Sequence, residues 1–224
     1  MLITEIKKTS PGRLTVVFED ESEVKSTLSV ISDLRLFSGK DMDSEQLNEL
    51  RSLSSRCIAR ERALEYISRR RMSCKELERK MLDKGYDEDT AAYCVSWLLQ
   101  NGFLNDESYA GAVVRHYAGK GYGPGRIRME LSRRGISREL WDTALEEMPE
   151  DTSKIDKFIS SRLTDPSDRA QVQKITAALY RRGHSWEDIR RALRRFSADC
   201  EEQKHNGKNI FSYFSWLCQE PCKF

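Results

Sequence analysis

Three glycines most constrain what this chain can fold into: Gly85, Gly135 and Gly183, spaced 50 and 48 residues apart, each set in the same apolar frame. Eight positions before each glycine stands Leu77, Ile127 or Ile175, and four before stands Met81, Leu131 or Leu179. Six after comes Ala91, Trp141 or Ile189, and ten after comes Val95, Leu145 or Leu193. Apolar residues four apart line one face of a helix. A glycine between two such stripes suits the left-handed turn that ends the first helix, where a Cβ is costly. Asp87, Ser137 and Ser185, two residues later, are placed to cap the second helix. Basic residues just before each glycine (Lys84, Arg133 with Arg134, Arg181 with Arg182) complement the negative helix end.

A third helical stretch precedes each pair: "RERALEYISRRR", "DESYAGAVVRHYAG" and "SKIDKFISSRL". The expected fold is therefore mainly α. Three tandem three-helix repeats, over residues 51–104, 105–149 and 150–200, should stack on their neighbours into an elongated, curved body. Residues 1–50 differ. "LITEIKK" and "RLTVVFED" flank the turn signal "TSPG", and "SEVKSTLSV" follows a second polar turn. This predicts a small N-terminal antiparallel β element of two or three strands, with Ile3, Leu14, Val16 and Phe18 on its apolar face, packed on a helix. "SGKDMDSEQLNEL" then starts a helix, with Asp43 or Ser44 as N-cap and Glu45 near the positive end. Residues 201–224, with Phe211, Tyr213, Phe214 and Trp216, read as a C-terminal tail, either a segment that docks on the body or a species-specific extension.

The stretch "GKGYGPGRIRM" is rich enough in glycine to suggest a phosphate-cradling loop. Such a loop needs a strand before it and a Lys-Ser/Thr at its end. Here a helix precedes, and Arg126-Ile127 occupies the place of the Lys-Ser/Thr, so a flexible joint between helices is expected, with Pro124 in the first helical turn. Catalytic signatures are scarce: His116, His184 and His205 stand alone, and His184 matches Tyr86 and Ile136 in the repeat, a packing position. The six cysteines form no CxxC pair, which predicts reduced thiols rather than a disulfide framework. Cys200, His205, Cys218 and Cys222 are zinc-type ligands, but their C-x4-H-x12-C-x3-C spacing lacks the short pairs of zinc modules. No enzyme activity, metal or cofactor is expected. No apolar run approaches the roughly 18 residues of a spanning helix, and a cytoplasmic chain without membrane association is expected.

Charge is segregated although the net value is only +2. Residues 1–50 carry 6 basic and 10 acidic groups, whereas residues 51–100 carry 11 against 8 and residues 151–200 carry 11 against 7. A polyanion would be met by local patches. "SRRRMSCKELERK", "GRIRMELSRRG" and "IRRALRRF" set arginines opposite apolar stripes, a residue type suited to phosphate or carboxylate.

"RALEYISRRRMSCKELERKML", "GFLNDESYA" and "GYGPGRIRMELSRRGIS", in this order, resemble the RecX family, bacterial regulators of the recombinase RecA. The resemblance rests chiefly on Ile127, Glu130, Leu131 and Arg134-Gly135-Ile136, with Asp106, Tyr109 and Ala110 as a second anchor. It implies tandem three-helix modules lying in the groove of the RecA filament on single-stranded DNA. It further implies a regulator that limits filament growth, ATPase, strand exchange and co-protease activity without catalysis; separately, a monomer is expected. On that basis Arg126, Arg128, Arg133 and Arg134 are expected to make the central contacts. Arg69, Arg70 and Arg71 would flank them from the first repeat, and Arg181, Arg182, Arg190, Arg191, Arg194 and Arg195 from the third. Two rival readings are a DNA-binding helical-repeat protein independent of RecA and a scaffold whose interface is the apolar tail.

Overall fold

The structure, a computed structural model, describes residues 1–148 and 153–203, with side chains through Ala198. Among the described residues it comprises three strands and ten helices. β1 (Ile3–Ser10), β2 (Arg13–Phe18) and β3 (Glu23–Thr27) form an antiparallel sheet in that order. The register sets Val16 opposite both Ile6 and Val24. Ile3, Val16 and Phe18 are buried as the alternation predicts, and Leu14 is half-buried against the same cluster.

Helix α1 (Leu28–Asp33) and helix α2 (Ser44–Arg69) cover this sheet. Asp43 is the N-cap of α2, accepting from Gln46 N at 2.8 Å, while Asp43 N donates to Gln46 Oε1 at 3.2 Å. With no Gly or Pro in its 26 residues, α2 runs unbroken past residue 51, so the helix expected over "RERALEYISRRR" begins much earlier, at Ser44. Its first half packs Leu47 and Leu50 under the sheet, and its second half gives Ala59, Ala63 and Tyr66 to a separate core. That second core is completed by α3 (Cys74–Leu82) and α4 (Glu88–Gln100) through Leu77, Met81, Cys94 and Leu98.

Next come α5 (Asp106–Gly119), α6 (Pro124–Arg133) and α7 (Glu139–Glu146), then α8 (Ser153–Ser160), α9 (Arg169–Arg181) and α10 (Trp186–Gln203). Backbone contacts divide the chain within α5 into one unit, Met1–Tyr109, and a second that begins at Ala110. The three turn glycines are left-handed, with φ of +87°, +70° and +85° at Gly85, Gly135 and Gly183. The residues eight and four positions before them are buried in every repeat. After the glycines the frame shifts. Trp141, Val95 and Leu145 are only half-buried, and the position buried in all three repeats is the ninth, which holds a small residue each time: Cys94, Ala144 and Ala192. Asp87 and Ser185 cap their helices, accepting from Thr90 N at 2.7 Å and Asp188 N at 3.1 Å. Ser137 does not: α7 starts after Arg138 with no side-chain cap.

The glycine-rich stretch departs most from expectation. Pro124 does open α6, but Gly123, its N-cap, has no side-chain cap. Backbone supplies the partners instead: Gly123 N donates to Arg182 O and Gly125 N to Gly183 O, each at 2.9 Å. The spare carbonyls at the end of α9 thus satisfy spare N–H groups at the start of α6, and the two helix ends carry opposite partial charges. A Cβ on Gly123 would meet the Gly183 backbone and His184 N within 2.5 Å, and one on Gly183 would overlap the Arg126 backbone. These glycines do not loosen a joint. They let two backbones touch, and the joint is fixed.

Gly85 shares the left-handed φ of Gly183 but not its crowding, since an added Cβ at Gly85 meets nothing within 4 Å. Gly85→Ala should cost about 1–2 kcal/mol from the left-handed turn, and Gly183→Ala more than about 3 kcal/mol because overlap is added. Urea unfolding of the two variants checks this, and equal costs would mean that the seat is not tight in solution.

Candidate functional site: the basic faces

The arginines picked out by the sequence are not equivalent once their partners are known. Arg69 ends α2, and Arg70 and Arg71 follow it, all exposed. Arg69 pairs with Glu65, Arg70 lies 3.4 Å from Glu76, and Arg71 has no acidic partner among the described residues. Glu76 is also the third residue of a capping box on Ser73 and accepts from the Tyr109 hydroxyl at 3.0 Å. Cys74 N donates to Asp106 at 2.9 Å. The motif residues Asp106 and Tyr109 therefore fasten the start of α5 to the start of α3.

In the middle repeat one buried carboxylate organises the charges. Glu130 is 5% exposed. It accepts from Arg133 Nε and Nη2 at 3.1 and 2.9 Å, from Arg126 at 3.2 Å and from the Tyr117 hydroxyl at 3.1 Å. Burial alone would push its carboxyl up. The bonds from Arg133 and Tyr117, with the charges of Arg133 and Arg126, outweigh this and hold it below its ordinary value. Arg126 and Arg133 are thus substantially neutralised where they stand. Arg128 reaches Asp142 on α7 at 3.3 Å, and Arg134 is half-buried.

In the third repeat Arg195 pairs with Asp156 at 2.8 Å and Arg191 with Glu187 at 3.4 Å. Arg190 sits 5.8 Å over the Trp186 ring, and Arg182 lies 4.5 Å over Phe158. Arg181 and Arg194 are exposed without an acidic partner among the described residues. His184 is a buried packing residue, as its repeat position predicts; its Nε2 contacts Gly121 O at 3.0 Å, the ring donating. Burial lowers its pKa, assisted by Arg182 and opposed by the Gly121 bond and Asp188.

Burial also pushes two thiols up: Cys74, beside Asp106, to about 12, and Cys94 to about 11. Cys57, Cys74 and Cys94 are free. Among the described residues there is no cluster of three His, Cys, Asp or Glu able to hold a metal, and no helix long and apolar enough to cross a membrane. The zinc-type set Cys200, His205, Cys218 and Cys222, and the aromatic tail, lie outside the described side chains.

Glu130→Gln should destabilise the chain by about 1–3 kcal/mol, leaving two guanidiniums less well paired. The sign with pH follows from the depressed carboxyl: its contribution is complete above the ordinary value of 4.5 and is lost as pH falls through the lower folded value. Thermal unfolding between pH 7 and pH 3 should show the variant losing less stability to acid than the parent, and parallel curves would remove Glu130 from this role.

Comparison with known proteins adds the family. The family model described as RecX, first three-helix domain, matches residues 59–98; the second-domain model matches 105–145 and the third-domain model 160–193. Regulatory protein RecX of Xanthomonas axonopodis pv. citri (strain 306) is 39% identical over 137 residues, 60% of this chain and 85% of the relative. That of Vibrio vulnificus (strain CMCP6) is 32% identical over 134 residues, 58% of this chain and 88% of the relative. A crystal structure of regulatory protein RecX superposes with TM-score 0.68 at 22% identity, covering 84% of this chain and 96% of its own. RecX from Lactobacillus salivarius does so with TM-score 0.59 at 24% identity, covering 64% and 97%, a likeness of fold. With all three domains present in order and relatives matched over most of their length, the chain belongs to the RecX family of regulatory proteins.

Proposed function

We propose that this chain regulates the recombinase RecA, mainly as an inhibitor, by binding the RecA filament on single-stranded DNA. The observation that carries the reading is the ordered set of three RecX domains. The chain acts in the cytoplasm as a monomer, by contact and without catalysis, and limits filament growth, ATPase, strand exchange and co-protease activity. Its repeats, 51–104, 105–149 and 150–200, each contribute a few contacts, so binding gains from their linkage rather than from one dominant pocket.

The partner pattern refines which arginines make those contacts. Arg126 and Arg133 hold Glu130, so truncating them would confound binding with folding. Arg71, Arg181 and Arg194 are exposed and lack acidic partners among the described residues, which leaves them free to meet phosphate or carboxylate. Arg69, Arg70, Arg128, Arg191 and Arg195, which have acidic partners, and the half-buried Arg134 and Arg190 add secondary contacts within their own repeats, while Arg182 keeps its charge over neutral rings.

The test is RecA's single-stranded-DNA-dependent ATPase titrated with the chain at fixed salt. Inhibition should set in well below one molecule per RecA. Its midpoint should rise about tenfold or more in an Arg71→Ala/Arg181→Ala/Arg194→Ala variant, a loss of about 1.4 kcal/mol. Inhibition unchanged in the variant sinks these sites and keeps the function. No inhibition at stoichiometric amounts ends the reading, and binding to naked DNA then becomes the leading explanation.

A further inference from the structure

Around Gly121, where the second repeat meets the third, three cations converge from separate elements. Lys120 precedes Gly121 in the chain, Lys154 belongs to α8, and Arg182 is the C-cap of α9. Arg182 Nη1 lies 3.6 Å and Lys154 Cβ 3.7 Å from where a Cβ on Gly121 would stand. The way they are held is unusual. Lys120 Nζ sits 5.8 Å over the Tyr117 ring; Arg182 lies 4.5 Å over Phe158 and 5.7 Å over Tyr122. Lys154 Nζ donates to Ala118 O at 3.1 Å. Every one of these partners is neutral.

An aromatic face or a carbonyl positions a cation without cancelling its charge, whereas a carboxylate does both. Among the described residues none of the three has an acidic partner, in contrast to Arg126, Arg133 and Arg195. Glu130, which accepts from the Tyr117 hydroxyl beside Lys120, is already shared between two guanidiniums. The fixed contact of Gly123 and Gly125 with Arg182 and Gly183 keeps Arg182 against Gly121, so the cluster is organised before any ligand arrives.

We propose that Lys120, Lys154 and Arg182 form a phosphate-contacting surface for the backbone of single-stranded nucleic acid. A single strand carries a phosphate at every nucleotide, matching several un-neutralised cations gathered around one turn. Cations interleaved with aromatic rings are the usual composition of surfaces that follow an unpaired strand. The inference deepens the regulatory reading by naming a route to the DNA, yet it stands on binding that needs no RecA.

The test is fluorescence anisotropy of a labelled oligothymidylate with the full chain, across a salt series, with RecA ATPase inhibition measured in parallel. The Lys120→Ala/Lys154→Ala/Arg182→Ala variant should bind about tenfold or more weakly at low salt and lose about two from the log–log salt slope, since each phosphate contact on a single strand contributes about 0.7. Because Lys154 and Arg182 also pack, Lys120→Glu, an exposed change, is measured beside it and should weaken binding in the same direction. Lys75→Glu, an equal charge change at an exposed position of α3, should have less effect. Equal losses for Lys75→Glu and Lys120→Glu, or no binding by the parent chain, would overturn the surface. So would variants that lose RecA inhibition while keeping oligonucleotide affinity, which would assign the cluster to an acidic protein face. Failure of the parent chain to inhibit RecA, with oligonucleotide binding intact, would instead remove the regulatory reading and leave the surface standing.

Discussion

The seat of Gly183 against Gly123 and Gly125 is the contact on which the second and third repeats depend. Helix α6 begins without a side-chain cap, and the Arg182 and Gly183 carbonyls at the end of α9 find their donors on α6 rather than in their own repeat. Either end left alone would need water or a side chain. Joined, they answer each other's unpaired groups and their partial charges attract. The two-backbone approach tolerates no Cβ on either side, so one residue type is compulsory at both positions. His184, next to the seat, adds a bond to Gly121 O from inside the protein. A repeat protein is held by the interfaces between units as much as by the units, and here the interface is main chain rather than side chain.

Charge follows a similar division of labour. Some guanidiniums are structural: Arg126 and Arg133 exist in large part to keep Glu130 ionised in a buried place, and Glu130 in turn fixes Tyr117. Others are positioned by rings or lie free. In the first repeat Lys80 occupies the place of Glu130 and also contacts a tyrosine of the preceding helix, lying 4.2 Å over Tyr66. One position in the repeat thus serves as a tyrosine contact with either sign of charge, which is why charge alone is a poor guide to the working surface.

The helical repeat, the left-handed glycines and the buried positions before them were legible because they rest on local rules: a 3.6-residue period and a backbone conformation few residues accept. The sheet face at Ile3, Val16 and Phe18 followed from alternation in the same way. What escaped the sequence was whatever depends on a partner far along the chain. The closely spaced glycines read as freedom, when Gly183, some 60 residues on, takes the space left at Gly123 and Gly125. The position after the glycine that is buried in all three repeats was missed because Cys94, Ala144 and Ala192 are small and weakly apolar, so a search for large residues passes over them. Lys120 and Lys154 carried no pattern at all; only the fold sets them beside Arg182.

A chain with 38 basic and 36 acidic residues has no long-range field with which to gather a polyanion. Its means of meeting one must be local, and a local site works only if its cations are not already spent on neighbouring carboxylates. Surface ion pairs between long side chains contribute little stability, so an acid beside an arginine adds little to the fold and reduces the charge offered outward. Rings and carbonyls avoid that cost. They hold Lys120, Lys154 and Arg182 in place while leaving the charge outward, at a junction whose geometry the glycine seat already fixes. The near-neutral composition and a working basic surface are therefore compatible, because what decides binding is the identity of each cation's partner rather than the number of cations.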